Sequence, residues 1–258
     1  MHSTLFLDNV AFYGRTLREY RAFFQLTYAD LQQRRILDCG AGCASLNAEG
    51  TRAGADIVSV DPLYNRNAAA LSAVARHDIA KVLDRAQHAS AHFVFRFFRD
   101  LDEVAHCRRN ALERFLEDYA AGRAQGRYRA AKLPHLPFAD HAFDLALCGH
   151  FLLLYGYQYG ADFHLHSLRE LLRVAREVRV YPLLQPNGEP PSFLEALLGQ
   201  LRDEGITTDL VPLEYEFLRG AHTLLRLHRV KLPSAPARKC GTLPKPLGLM
   251  ALDPSASL

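Results

Sequence analysis

Long apolar runs, a charge excess and a cysteine framework are all missing from this chain of 258 residues. The longest apolar stretch, around Phe151-Leu152-Leu153-Leu154, is far too short to cross a bilayer. No amino-terminal segment joins a basic start, an apolar core and a small-residue cleavage site, so neither export nor a membrane anchor is expected. The formal charge is only +3, with 31 basic and 28 acidic residues spread along the chain. That is not the concentrated basic face of a nucleic-acid binder, and nucleic acid is not expected as a partner. The five cysteines, Cys39, Cys43, Cys107, Cys148 and Cys240, show no disulfide spacing. A reduced, cytoplasmic protein is expected. What remains is an ordinary globular composition, 49% hydrophobic and 23% charged, long enough for one large α/β domain with a decoration.

The chain is most informative where the apolar run Arg35-Ile36-Leu37 ends in Asp38-Cys39-Gly40-Ala41-Gly42-Cys43-Ala44. A second apolar run, Asp56-Ile57-Val58-Ser59-Val60, ends in Asp61-Pro62. A strand, a small-residue turn and a second strand closed by an acid make a nucleoside pocket. Gly40 and Gly42 let backbone approach a ligand, and Asp61 is placed to accept hydrogen bonds from ribose hydroxyls. In a dinucleotide site the turn faces a pyrophosphate, which a carboxylate at Asp38 would repel. S-adenosylmethionine brings an ammonium and a sulfonium instead, so an acid at Asp38 favours it. The dinucleotide fingerprint also fails, because Gly40-x-Gly42-x-x-Ser45 lacks the third glycine. The pattern predicts a methyl-donor site.

Residues 5–33 read as an amphipathic helical lead-in, with Phe12, Leu17, Tyr20, Phe23, Phe24 and Leu26 near helical spacing. Strands are predicted over 35–39 and 56–60, with a helix from Ala44 whose first turn is free to offer N–H groups. About sixty residues, 66–126, then intervene where ten to fifteen would serve. They hold helical patterns and an aromatic patch, Phe93-Val94-Phe95-Arg96-Phe97-Phe98. The insertion is either a structural helical layer or a lid over the pocket. Further strands are expected near 127–131, 145–148, 177–181, 208–215 and 222–229, with helices over 164–176 and 192–204. Residues 1–230 form one domain, and 231–258, rich in proline and small residues, read as an unordered tail.

The ordered set Tyr13-Gly14-Arg15-Thr16, Ile36-Leu37-Asp38-Cys39, Asp61-Pro62-Leu63-Tyr64, Leu133-Pro134-x-Leu136-Pro137-Phe138, His150-Phe151-Leu152 and Tyr215-Glu216-Phe217 resembles the class I S-adenosylmethionine-dependent methyltransferases. Within them it looks like a bacterial methyltransferase-like group of unassigned substrate. The resemblance spans about 10–230. It implies a Rossmann-like α/β sheet with helices on both faces, a helical insertion after the second strand, and S-adenosyl-L-methionine as cofactor. It departs from the family at Ala131-Lys132-Leu133-Pro134, where many relatives carry an aspartate toward the adenine amino group. Adenine contact is therefore expected from backbone and apolar groups around Leu133.

Methyl transfer needs nucleophile, methyl and sulfur held in line, and a general base is optional. His150, beyond the fourth strand, is the candidate base, against the plainer reading of a packed histidine. Asp38, Gly40, Gly42, Asp61, Pro62, Leu133 and Arg15 are the candidate cofactor contacts, Arg15 toward the methionyl carboxylate. Tyr155, with Tyr157 nearby, and Glu216 and Arg219 are the candidate acceptor contacts; a structural salt bridge is the plainer role for the last two. No metal is expected: Asp162, His164 and His166 alternate along a helix, so only two of them could converge on an ion. Cys39, Cys43 and Cys148 read as small core residues. A small-molecule acceptor is expected. A binding module without transfer, and an RNA or protein methyltransferase using Arg96, Arg99, Arg108 and Arg109, are the alternatives. Arg108-Arg109 read more simply as a solvated helix face.

Overall fold

The computed structural model describes residues 5–229, so the tail expected over 231–258 and the thiol of Cys240 lie outside the described residues. Strand β1 (Arg35–Cys39) lies beside β2 (Asp56–Val60) and β4 (Phe143–Gly149), all parallel. With β3 (Tyr128–Arg129), β5 (Ala175–Tyr181), β6 (Ile206–Pro212) and β7 (Thr223–Arg229) they make one seven-stranded sheet in the order β3-β2-β1-β4-β5-β7-β6. Strand β7 alone runs antiparallel to both its neighbours. The central strands are continuous apolar runs because both faces are covered. On one face Ile36, Leu145 and Leu147 pack on Phe23, Phe24 and Leu31. On the other, Leu37, Ala146 and Val178 pack on α6 (Ala161–Val174) and α7 (Leu194–Asp203).

The lead-in departs from its helical pattern. Residues 5–16 run mostly extended, and only α1 (Leu17–Phe23) and α2 (Tyr28–Gln33) are helical. Each starts at a threonine cap, Thr16 with Glu19 and Thr27 with Asp30, in reciprocal capping boxes. Thr16 therefore begins a helix where periodicity alone continues one. Helix α3 (Leu46–Arg52) follows the turn after β1. The insertion is two long helices, α4 (Ala68–His88) and α5 (Leu101–Ala124), and Phe115 and Tyr119 of α5 join Tyr64 and Tyr128 of β3 in a separate aromatic core. No helix among the described residues is long and apolar enough to cross a membrane.

Candidate functional site

The strand order reverses direction between β1 and β4, and a crevice opens outside the carboxyl ends of such a sheet. A cavity of about 630 Å³ occupies that place, within the range of small-molecule sites. Gly40 after β1, Asp61 and Pro62 after β2, His150 after β4 and Tyr181 at the end of β5 all line it. Arg15, Leu133 and Tyr155 line it too. Of the residues singled out in the sequence, Asp38, Gly42, Glu216 and Arg219 are not on its wall.

Each displacement has a local cause. Side chains alternate along β1, so Asp38 points to the face covered by α1 while Cys39 meets the cavity. Its buried carboxylate accepts from Tyr20 Oη at 3.1 Å and Ser59 Oγ at 3.3 Å. Burial pushes it up to about 7. The charge repulsion expected against a diphosphate does not operate from there. Gly42 adopts φ +56°, and a Cβ on it would stand 2.6 Å from the Tyr13 carbonyl oxygen. A Cβ on Gly14 would stand 2.0 Å from the Cys43 carbonyl oxygen. The small-residue turn is thus covered by the chain's own residues 12–15. The first turn of α3 is not free either, since Ser45 N–H donates to the Arg15 carbonyl at 3.0 Å.

Asp61 is tied to that turn. Its carboxylate accepts from Gly42 N–H at 3.1 Å and Leu63 N–H at 2.9 Å, and burial raises it to about 6. A carboxylate has about four lone-pair sites, so two remain for hydroxyl donors in the cavity. Leu133 and Pro134 form the apolar floor beside it.

Arg15 reaches the cavity from the covering segment. Among the described residues no carboxylate lies within salt-bridge distance of it, because its neighbour Glu19 is engaged elsewhere. Arg108 donates to both Glu19 carboxylate oxygens at 2.6 Å. This corrects the reading of Arg108 as a solvated residue: it is 1% exposed and bridges α5 to α1. Helical periodicity does not reveal it, because its partner lies 89 residues away. Both guanidiniums lie 5.2 Å from the centroid of the Tyr13 ring. Burial, then the charge of Arg108, pushes the Arg15 guanidinium down, yet it stays cationic.

His150 has φ +55°, a conformation that non-glycine residues seldom adopt. Its ring is flanked by Phe23 at 5.0 Å and Tyr181 at 5.1 Å, and its Nδ1 has no hydrogen-bond partner among the described residues. Burial, with the nearby charges of Arg15 and Arg108, pushes the imidazole well below its ordinary value, so it is neutral. Tyr155 lines the cavity with its ring while its hydroxyl accepts from Ala11 N–H at 3.0 Å. Tyr157 Oη accepts from Leu7 N–H at 3.0 Å in the same way. Both tyrosines hold the extended lead-in as a strap across the cavity.

Glu216 accepts from Gly220 N–H at 2.8 Å, and Arg219 donates to the carbonyls of Ala91 and Phe93. They shape the β6–β7 connection, whose Phe217 and Leu218 reach the cavity between them. Phe93 stacks on Phe217 at 4.7 Å, so one aromatic of the patch lines the cavity while Phe98 is buried beneath it. Burial pushes the Cys43 and Cys148 thiols up to about 12, and no group of three potential ligands for a metal ion occurs among the described residues.

Strand order, the crevice at the reversal and the acid closing β2 define a class I methyltransferase fold. No protein-family model matches the chain. In sequence, an uncharacterized protein of Methanocaldococcus jannaschii, MJ0045, is 32% identical over 227 residues, which cover 86% of this chain and 98% of that one. The chain belongs to the family of that archaeal protein. Among solved structures, magnesium protoporphyrin IX methyltransferase from Synechocystis PCC 6803 with bound SAM is 15% identical at TM-score 0.38, covering 78% of this chain and 72% of that one. TrmN from Thermus thermophilus is 16% identical at TM-score 0.39, over 77% of this chain and 45% of its own. These likenesses are distant; the strand order itself defines the fold.

Proposed function

We propose that this protein is an S-adenosylmethionine-dependent methyltransferase acting on a small-molecule acceptor. The observation that carries this reading is the combination at the β1–β2 edge. Residues 12–15 pack on the glycine turn, leaving little room there for a diphosphate, while Asp61 lines the cavity with two of its acceptor positions unfilled by these backbone donors.

The donor set fits the cofactor. Asp61 would accept from the ribose hydroxyls, with Gly40 and Pro62 against the sugar. The adenine would lie on Leu133 and Pro134. Arg15, with five N–H donors and no carboxylate in reach among the described residues, would hold the methionyl carboxylate. When bound, the cofactor supplies a methyl group activated by an adjacent sulfonium. The remaining work is positioning and exclusion of water. The strap held by Tyr155 and Tyr157, together with α4 and α5, roofs the cavity and supports the reading of 66–126 as a cover. His150, neutral and on the wall, would accept a proton from the acceptor at an imidazole nitrogen.

Calorimetric titration tests the reading. S-adenosylmethionine and its demethylated product should bind with one-to-one stoichiometry, and NAD should give no heat. Saturable NAD binding without a response to the methyl donor overturns it. Methyl-label transfer in cell extract, separated into small-molecule, RNA and protein fractions, should label the first. Label in the RNA or protein fraction redirects the acceptor, and intact cofactor binding with no labelled product makes the protein a binding module.

A further inference from the structure

The cavity continues past the strand ends into a second half under the insertion, and this half differs in character. Its walls are Val82 and Ala86 of α4, Val104 of α5, Phe93, Leu218 and Pro182. None of these carries an ionisable group; Arg85, also of α4 and on the cavity wall, adds a cation whose guanidinium lies 3.8 Å from Asp8. The ionised side chains at its inner end are Arg15 and Arg108, and among the described residues Asp61, on the nucleoside side, is the one acidic residue lining the cavity. Glu19 stands behind Arg108, its oxygens taken by the guanidinium and by the Thr16 cap.

From this geometry we propose that the roofed half binds a lipophilic weak acid, an aromatic or alicyclic body carrying a carboxylate or acidic hydroxyl, with the oxygen turned toward Arg15 and His150. The proposal rests on the methyltransferase reading for its meaning as an acceptor site, but not for its binding chemistry. The apolar walls gain about 25 cal/mol for each Å² of apolar ligand surface they remove from water. An ammonium placed at the inner end would face two guanidiniums and lose its hydration with no anion to replace it. An acidic oxygen meets N–H donors instead. The planar fork of Arg15 has donors enough for a cofactor carboxylate on one edge and an acceptor oxygen on the other. The aromatic walls, Phe93 stacked on Phe217 and Tyr181 against His150, favour a ring system over a flexible chain.

The test uses ligands of one size that differ in charge: 2-naphthoate, 2-naphthol and 2-naphthylmethylammonium. Each is titrated into the full-length protein by calorimetry, with and without saturating S-adenosylhomocysteine. The acid and the naphthol should bind at least about ten-fold tighter than the ammonium. Equal or tighter binding of the ammonium overturns the proposal, as does absence of binding by all three. Ala86→Trp should fill the roofed half and abolish 2-naphthoate binding while S-adenosylhomocysteine affinity and the melting temperature stay close to native. Should Ala86→Trp fail to fold, Val82→Trp, at a half-buried position on the same wall, gives the same readout. Naphthoate binding that survives a folded wall variant places the acid elsewhere and refutes the site. If 2-naphthoate binds and S-adenosylhomocysteine does not, the lipophilic-acid site stands while the cofactor assignment falls.

Discussion

Three side chains at the strand ends, Asp38, Asp61 and His150, lie within one small region and carry different burdens. Asp38 is held at about 7 in the fold, against an ordinary value of 3.8. Between those values the folded state binds the extra proton, so its contribution to stability improves as the pH falls from 7 toward 4. Asp38→Asn, uncharged throughout, should therefore melt higher than the native protein at pH 8, with the difference closing by about pH 4. Thermal melts across that range check it; a constant offset at every pH contradicts it. For Asp61, replacement by alanine should weaken S-adenosylhomocysteine binding by about 1–3 kcal/mol, the worth of hydrogen bonds to a charged group. Calorimetry reads the change, and an unaltered affinity in a folded variant removes Asp61 from the cofactor site. His150→Gln should leave that affinity unchanged and lower label transfer about 100-fold or more if the imidazole takes the acceptor's proton.

At the scale of elements, the pair Glu19–Arg108 is the rivet between lead-in and insertion. Removing one member of a buried ion pair leaves the other charge without compensation. Arg108→Met should cost about 3–5 kcal/mol, and adding Glu19→Gln, which retains the cap on α1, should recover most of it. Urea melts of the single and double variants decide this. The covering segment gives a second measure. Gly14→Ala drives a methyl group into the Cys43 carbonyl and should destabilise by about 1–3 kcal/mol or more. Gly199→Ala in α7, where nothing stands within 4 Å of the new methyl, should be neutral or stabilising by about 0.5–1 kcal/mol. Much of the element order was legible beforehand: β1 and β2 match their apolar runs, and the long gap after β2 does hold helices. The lead-in was misread because Phe12, Leu17 and Tyr20 share helical spacing while serving separate structures. Periodicity reports which side chains are buried, not whether the backbone between them is continuous helix. A threonine followed three residues on by an acid carried the missing boundary.

For the molecule as a whole, the site was legible where it depends on strand ends and obscure where it depends on distant chain segments. Gly40, Asp61, Pro62 and His150 follow their strands directly, and all reach the cavity. Asp38 was assigned to the ligand by proximity in sequence, and the pleat of β1 turned it away. Glu216 and Arg219 flank the residues that do reach the wall, a one-residue error of facing. Arg108 reads locally as a solvated cation and Phe93 only as one of an aromatic patch, because their partners, Glu19 and Phe217, lie across the fold.

The ceiling of the cavity is joined from three stretches of chain. The strap is fastened by Tyr155 and Tyr157, the insertion by Arg108, and the β6–β7 connection by a bridge between Phe93 and Leu218. A graft of 66–126 alone from one homologue to another would import one half of two of these fastenings, Arg108 and Phe93, and leave their mates, Glu19 and Leu218, behind. Exchange of one such stretch between relatives should therefore disturb the ceiling more than a point substitution within it.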